Sequence, residues 1–125
     1  MLRDHDSSAI VAVSDIARAR EFYERKLGLE LADDTMDGVL GFKTGSTHLT
    51  VYKSDEAGSN RANAVVWSCG GEIDAIVAAL EAQGVTFEHY PGMDMRIEGN
   101  VHVAGKLKAV WFKDPDGNIL HLNNM

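Results

Sequence analysis

The sequence predicts an α+β fold built from two βαβββ modules, and three observations support this prediction. A β-branched strand leads into an amphipathic helix and then into further strands. The same order of elements starts again after a polar linker at 54–63. The two predicted helices are similar in length and end at Gly28 and Gly84. We therefore predict one domain over residues 1–125, with module 1 at about 8–54 and module 2 at about 64–123.

Module 1 begins with the β-branched strand Ile10–Val13. Ser14 and Asp15 follow this strand, and either side chain can cap the N-terminus of a helix. Apolar residues then recur at helical spacing as far as Gly28, where we expect a left-handed end to the helix. Three further predicted strands complete the module: Leu29–Ala32, Val39–Lys43 and His48–Lys53.

Module 2 repeats this order, with Ala64–Ser68 as its first strand, a helix after it, and Val85–His89 as the next strand. Ala109–Lys113 and Ile119–Leu122 are predicted to form a hairpin around Asp114–Asn118, whose Pro, Gly, Asp and Asn residues are typical of turns. Six apolar residues should be buried beneath the two helices: Ile16, Phe22, Leu27, Ile76, Val77 and Leu80.

Module 2 also contains an insertion, Tyr90–Lys108, that has no counterpart in module 1. Long irregular segments inside small domains are often functional, so this one could lie across the mouth of a cavity. The alternative is a plain surface loop with a short edge strand. We expect the two histidines near its ends, His89 and His102, to be exposed.

The composition excludes several classes of protein. Twelve Lys and Arg stand against 19 Asp and Glu, which gives a net charge of −7, and no basic patch is present to bind nucleic acid. No apolar run is long enough to cross a membrane. The single cysteine allows no intrachain disulfide, and the charged start of the chain is unlike a secretory signal. These features predict a cytoplasmic protein.

Two motifs in this sequence resemble those of the vicinal oxygen chelate superfamily, also known as the glyoxalase/bleomycin-resistance/extradiol-dioxygenase family. The first motif joins Val13–Ile16 to Glu21–Tyr23 and Lys26–Leu29, and the second covers Trp111–Leu120. The resemblance implies that the two modules form a curved, mixed or antiparallel sheet with a concave cleft. It also implies that two copies of the chain form a homodimer.

Enzymes of this family hold a divalent metal in the cleft with about four side chains. The family's ligand positions fall on Ser8, Thr50, Val65 and His121 of this chain, with one residue of uncertainty at Val65. Only His121 is a good ligand for a first-row metal, and a stable site needs three or four such ligands. His48 is two residues before Thr50 and could contribute, as could His5 or Asn63 in a shifted alignment. We therefore predict no metal and no other cofactor.

We expect His121 to be the polar residue that orients a small-molecule ligand. The other predicted ligand-binding residues are Thr50, Ser8, His48, Tyr52 and Trp67. Trp67 shares strand parity with Val65, so it should point to the same side of the sheet as the ligand. The alternative is that His121 satisfies only the polar groups of its own sheet, with the aromatic residues in the core. Cys69, before a helix, is either a nucleophile or an inert packing residue.

These residues predict a metal-independent small-molecule binding protein of the glyoxalase/bleomycin-resistance type. The alternative is a metal-dependent lyase, isomerase or dioxygenase that acts on a substrate with vicinal oxygens. A third option is an enzyme without metal that uses His121 as a general base. The sequence does not identify the ligand.

Overall fold

A helix and a four-stranded sheet make up most of the first half of the chain. The computed structural model describes residues 1–125, and their contacts divide the chain into two units. Unit 1 contains Met1–Arg61 and Pro115–Asn118, and unit 2 contains Ala62–Asp114 and Ile119–Met125. The turn Pro115–Asn118 therefore belongs to unit 1, although the sequence places it within module 2.

Unit 1 has the sheet order β1-β4-β3-β2, in which β1 and β4 are parallel and the other neighbours are antiparallel. A short 3-10 helix, Leu2–Asp4, precedes β1. Helix α1 continues as a π-helical segment, Glu21–Lys26. The bounds are β1 Ala9–Val13, α1 Ile16–Arg20, β2 Glu30–Asp33, β3 Val39–Thr44 and β4 Thr47–Lys53.

The sequence predicted both ends of this helical region correctly. The side chain of Asp15 accepts a hydrogen bond from the backbone N–H of Arg18 at 3.0 Å, which makes Asp15 the N-cap. Gly28 has a φ of +72°, the left-handed conformation that glycine adopts without steric strain. Only the strand after the helix begins one residue later than predicted, at Glu30.

One face of the unit 1 sheet packs against this helix. Tyr23 is fully buried, and its ring centroid lies 6.1 Å from that of Phe42 on β3. The buried side chains that alternate along β1, β3 and β4 share this face because side chains two residues apart point the same way. They are Val11, Val13, Leu40, Phe42, Leu49 and Val51. We call this side the helix face of the sheet, and the other side the opposite face.

Unit 2 has the sheet order β5-β10-β9-β8-β7, with β6 paired to β9. Only β5 and β10 are parallel. Together the two mixed sheets and two helices confirm the predicted α+β class. The bounds are β5 Asn63–Ser68, a 3-10 turn Gly70–Glu72, α2 Ile73–Ala82, β6 Phe87–Glu88, β7 Arg96–Glu98, β8 Val101–Ala104, β9 Leu107–Lys113 and β10 Ile119–Asn123.

Helix α2 lies against the face of this sheet that carries Val110 and Phe112. Lys108 has the same strand parity as these two residues, and its Nζ lies 2.6 Å from Asp74 Oδ2 on α2. The two helices bury three of the six side chains predicted, whereas the other three are only half-buried because they lie at the edge of the apolar stripes. Phe22, Val77 and Leu80 are buried, and Ile16, Leu27 and Ile76 are half-buried.

The insertion Tyr90–Lys108 extends the sheet instead of forming a long loop. Its central part is a hairpin of β7 and β8, and β8 pairs with β9. The sequence left open a segment across the mouth of a cavity or a surface loop with a short edge strand, and the structure instead has two strands, of which only β7 lies at the edge. The predicted strand Val85–His89 is shorter than expected, since only Phe87–Glu88 pairs with β9.

The turn Pro115–Asn118 is bonded to unit 1 through side chains. Asp116 accepts hydrogen bonds from the backbone N–H of Ser14 at 3.0 Å and from its hydroxyl at 2.5 Å. Arg18 Nη2 lies 3.0 Å from the same carboxylate, and Asn118 Nδ2 donates to the carbonyl of Ala12 at 2.8 Å. The sequence identified this segment as a turn but gave no sign of these partners. No helix in the structure is long and apolar enough to span a membrane.

Candidate functional site

His121 lies in the middle of β10, on the opposite face of the unit 2 sheet. Its neighbours Leu120 and Leu122 are buried on the helix face, as the alternation of the strand requires. Nδ1 of His121 lies 3.1 Å from the carbonyl oxygen of Val110, and Nε2 lies 3.3 Å from Asn123 Nδ2. The ring is half-buried, and this burial lowers the pKa of His121, while the bond to Val110 partly offsets the effect.

A column of aromatic rings supports His121 from its own sheet. The ring of Trp111 on β9 is stacked on that of His121, with centroids 4.6 Å apart and planes at 21°. The rings of His102 on β8 and of Tyr90 both meet the ring of Trp111 edge-on, with centroid distances of 4.9 Å for His102 and 5.5 Å for Tyr90. Ring contacts of this kind restrict the orientation of each member. His121 therefore sits on a rigid support.

His102 is fully buried, so the expectation that it is exposed was wrong. Its Nε2 accepts a hydrogen bond from the backbone N–H of Tyr90 at 2.9 Å. Nδ1 makes no well-formed hydrogen bond. A contact of the ring with the backbone of Ala109 raises the pKa of His102, but this effect is the smaller one. Burial and the nearby His89 lower the pKa of His102. The sequence signal that was overlooked is the position of His102 between two valines of an apolar run.

Trp67 does not share a face with His121, which corrects the orientation predicted for it. In the parallel pair of β5 and β10, Leu122 is opposite Trp67 and Leu120 is opposite Val65, so both β5 residues lie on the helix face. The residue opposite His121 is Val66, which is 57% exposed. The cause is a register shift between Ile119 and Leu120, because a slip of one residue moves every side chain to the other face.

The other four predicted ligand-binding residues lie in unit 1. Thr50 and Tyr52 are half-buried on β4, on the opposite face, and their partners on β1 are Ile10 and Ala12. His48 has the same parity and is exposed, and Ser8 is exposed just before β1. Continuing the β1–β4 register by one residue sets Ser8 beside His48. Unit 1 thus places Thr50, Tyr52 and His48 on one face of its sheet, with Ser8 just outside the sheet.

A cavity of about 530 Å³ in unit 1 contains none of the predicted ligand-binding residues. It opens beside the start of α1, and two carboxylates, of Asp15 and Asp37, share its lining with Lys53. The remaining lining residues are Ser14, Ile16, Ala17 and Gly38. Two of its polar side chains are already bonded, Ser14 to Asp116 and Asp15 to the backbone N–H of Arg18.

Comparison with known proteins identifies the family. The model of the glyoxalase/bleomycin resistance protein/dioxygenase superfamily matches residues 7–122. The chain belongs to this superfamily. No curated protein matches the chain.

Solved structures of other members of the superfamily share the fold. A glyoxalase/bleomycin resistance protein/dioxygenase from Alicyclobacillus acidocaldarius is 19% identical, with a TM-score of 0.71 over 96% of this chain and 90% of that one. A lactoylglutathione lyase from Agrobacterium tumefaciens is 18% identical, with a TM-score of 0.69 over 95% and 92%. The fosfomycin resistance protein FosX from Listeria monocytogenes is 16% identical, with a TM-score of 0.67 over 97% and 90%.

The residues present do not fit the divalent metal that the superfamily's enzymes use. No group of three or more His, Cys, Asp or Glu side chains is arranged to hold a metal ion. Of the four ligand positions carried over from the family, Ser8 and Thr50 offer neutral hydroxyls and Val65 offers no donor atom. Among these four positions, His121 alone therefore offers a good ligand for a first-row metal.

Cys69 has the environment of an inert thiol. It is half-buried, and its Sγ lies 3.8 Å from the carbonyl oxygen of Trp67. Burial and the negative charge of Glu72 raise the pKa of the Cys69 thiol, whereas a nucleophilic cysteine requires a lowered pKa. Between the two alternatives that the sequence left open, this arrangement favours packing.

Proposed function

We propose that this chain is a metal-independent small-molecule binding protein of the glyoxalase/bleomycin-resistance type. The observation that carries the proposal is the setting of His121: Trp111 and Val110 hold its ring on the opposite face, and it belongs to no group of three or more His, Cys, Asp or Glu side chains that could hold a metal ion. An imidazole on such a support can fix the orientation of a polar group on a ligand. Thr50, Tyr52, Ser8 and His48 are proposed as additional contacts.

What is known of similar proteins agrees with a binding role. The superfamily takes part of its name from bleomycin resistance, and FosX is described as a fosfomycin resistance protein. The lactoylglutathione lyase among the similar structures is an enzyme, so the fold alone does not separate the two classes. The donor set of this chain is what favours binding over metal-assisted catalysis.

A thermal-shift screen of metabolites and antibiotics tests the proposal. We expect at least one compound to raise the melting temperature of the wild type, and His121→Ala to weaken its binding by about 1 to 3 kcal/mol through the lost hydrogen bond. His5→Ala is the matched control, since His5 is exposed in the N-terminal segment. If the compound binds His121→Ala as tightly as the wild type, His121 serves only its own sheet.

The metal content of the purified protein tests the proposal that no metal is needed. Protein purified without chelator should contain far less than one first-row metal per chain, and added Ni²⁺, Mn²⁺, Fe²⁺ or Zn²⁺ should leave the melting temperature unchanged. Elemental analysis near one metal per chain would contradict the proposal and make His121 and His48 the first ligands to replace.

One contact favours a second candidate, an enzyme that needs no metal. Because the Nδ1 proton of His121 is directed at the carbonyl of Val110, Nε2 is left unprotonated and can accept a proton from a substrate. Mass spectrometry of any compound found in the screen, after incubation with the protein, separates the candidates. A product that forms with wild type and not with His121→Ala identifies an enzyme.

We also propose that the chain is a homodimer in the cytoplasm. Strand β1 pairs with one neighbour only and exposes a large apolar side chain, Ile10 at 63%. Light scattering should give twice the chain mass of 13.6 kDa at micromolar concentration. The cytoplasmic location is inferred from the single cysteine, and cell fractionation tests it.

A further inference from the structure

The bond between His121 and Val110 fixes which ring nitrogen carries the proton. The carbonyl oxygen of Val110 can only accept a hydrogen bond, so Nδ1, 3.1 Å away, must be the donor. In the neutral ring Nε2 then has a lone pair and no proton. The stack on Trp111 holds the ring plane, so this lone pair has a defined direction.

Asn123 places a donor next to this acceptor. Its Oδ1 accepts a hydrogen bond from the backbone N–H of Met125 at 3.1 Å, which fixes the orientation of the amide and turns Nδ2 toward His121. The distance from Nδ2 to Nε2 is 3.3 Å, longer than a typical bond between nitrogen donors and their acceptors. The amide also has a second N–H. Without a ligand the donor and the acceptor contact each other, and a hydroxyl group can replace this long contact with one bond to each of them.

This pair has an apolar neighbour on β5, and the charged residues of the same face are paired with each other. Val66, opposite His121 on β5 and on the same face, is 57% exposed and offers an apolar surface. Neither β5 nor β10 contains a Lys, Arg, Asp or Glu residue. The nearest cation on this face is Lys113 on β9, and its Nζ already lies 3.6 Å from Glu88 Oε1 on β6. An anion would therefore find no unpaired positive charge beside His121, whereas an apolar group would find Val66.

We propose that His121 and Asn123 together select an uncharged ligand that carries a hydroxyl group. The hydroxyl donates its proton to Nε2 of His121, and its oxygen accepts from Nδ2 of Asn123, while the apolar part of the ligand covers Val66. An ether or a carboxylate brings only acceptors, so it leaves the lone pair of Nε2 unmatched. This inference rests on the proposed binding function and narrows its ligand class.

Three matched compounds test the selection: benzyl alcohol, benzyl methyl ether and benzoate. Each is titrated into isotope-labelled wild-type protein, with the side-chain NMR signals of His121 and Asn123 as the readout. We expect benzyl alcohol to shift both signals and to bind about tenfold more tightly than the ether, as one unmatched hydrogen bond predicts. Benzoate should bind no better than the ether.

Two variants distinguish this contact from nonspecific binding. His121→Phe keeps an aromatic ring on Trp111 but removes Nε2, so this variant should bind benzyl alcohol and the ether with about equal affinity. His5→Phe makes the same substitution in the exposed N-terminal segment and should keep the wild-type preference. The nitrogen spectrum of the wild type needs no substitution and should show Nε2 of His121 without a proton.

The inference is overturned by any of four results: equal binding of alcohol and ether, tighter binding of benzoate, a protonated Nε2 in the neutral ring, or no shift with benzyl alcohol up to its solubility limit. These results leave the binding function intact if the thermal-shift screen finds a ligand that requires His121. A screen that finds no ligand removes the proposed function itself, while the nitrogen spectrum still reports the state of His121.

Discussion

Unit 1 and unit 2 share the pairing of the first strand with the last and of the last strand with the one before it, but differ on the side of the sheet away from the helix. In each unit the first strand is parallel to the last, and a phenylalanine at the same point of the pattern, Phe42 or Phe112, is buried to 1% exposure or less. The opposite face of unit 1 presents Thr50 and Tyr52. The opposite face of unit 2 presents the aromatic and polar column that ends at His121.

This difference shows which part of a repeated unit is free to change. The helix face must stay apolar because it forms the core of its unit. The ring pairs of unit 1 all involve the helix residue Tyr23. Unit 2 has the pair Phe87–Phe112 in its core and further ring pairs that extend across the opposite face from Tyr90 to His121. The two units thus differ on the side where the fold does not depend on apolar packing.

The largest effect that tests the comparison is removal of the two matched phenylalanines. Phe42→Ala and Phe112→Ala should each lower the free energy of unfolding by about 3 to 5 kcal/mol, since both rings are fully buried on the helix face. Urea denaturation measures both losses. Losses that differ by more than about 2 kcal/mol would show that the two cores are not equivalent.

A smaller effect should distinguish two glycines of unit 1. Both have a positive φ, +75° at Gly58 and +72° at Gly28, but a Cβ on Gly58 would lie 2.1 Å from the carbonyl oxygen of Asp116. Nothing lies within 4 Å of a Cβ on Gly28. Thermal unfolding should therefore show that Gly58→Ala lowers the free energy of unfolding by about 3 kcal/mol and Gly28→Ala by about 1 kcal/mol. Equal costs would mean that the turn at Asp116 moves freely.

The histidines of unit 2 should make stability depend on pH. The pKa values of His102 and His121 are lowered in the folded protein, so the unfolded chain binds protons more readily. The free energy of unfolding should therefore fall as pH decreases below about 6.5, the ordinary pKa of histidine. His102→Gln keeps an acceptor for Tyr90 and should weaken this dependence, whereas His5→Gln should not. A flat profile from pH 7 to pH 5 would contradict the assignment of both rings as neutral.

The smallest effect concerns the exposed apolar residues of the two edge strands. Ile10→Thr and Val66→Thr should each change the free energy of unfolding by no more than about 0.5 kcal/mol in dilute solution, since both side chains are mostly exposed. Chemical denaturation at nanomolar and micromolar concentrations measures this. A loss that appears only at the higher concentration would show that a second copy covers these side chains.

The sequence predicted what depends on local chemistry. The alternation along β10 placed Leu120 and Leu122 opposite His121, and the caps of α1 followed from Asp15 and Gly28. The face of Trp67 was missed because the register shift between β5 and β10 involves residues more than 50 positions apart. No local pattern records such a shift.

The residues that complete the candidate site were missed for a related reason. His102 contacts Tyr90 and Trp111, which lie on other segments of the chain. Asn123 contacts His121 and Met125, each two residues away, but the hydrogen bonds depend on side-chain geometry that the sequence does not give. Polar residues of this kind have no periodic signature, since a buried histidine and a solvated histidine read alike in one sequence. The hydrogen bonds of such a site can therefore be identified only from the structure.

The turn Pro115–Asn118 has a consequence for the order in which the chain matures. Ser14 and Asp116 are 102 positions apart, so a ribosome releases the start of α1 long before it makes the carboxylate that binds there. Contacts of such long range are slow to form because a large loop must close first. The first half of the protein to be synthesised is thus completed only when the last residues emerge, and a nascent chain stalled before Asp116 exposes an unfinished unit to chaperones and proteases.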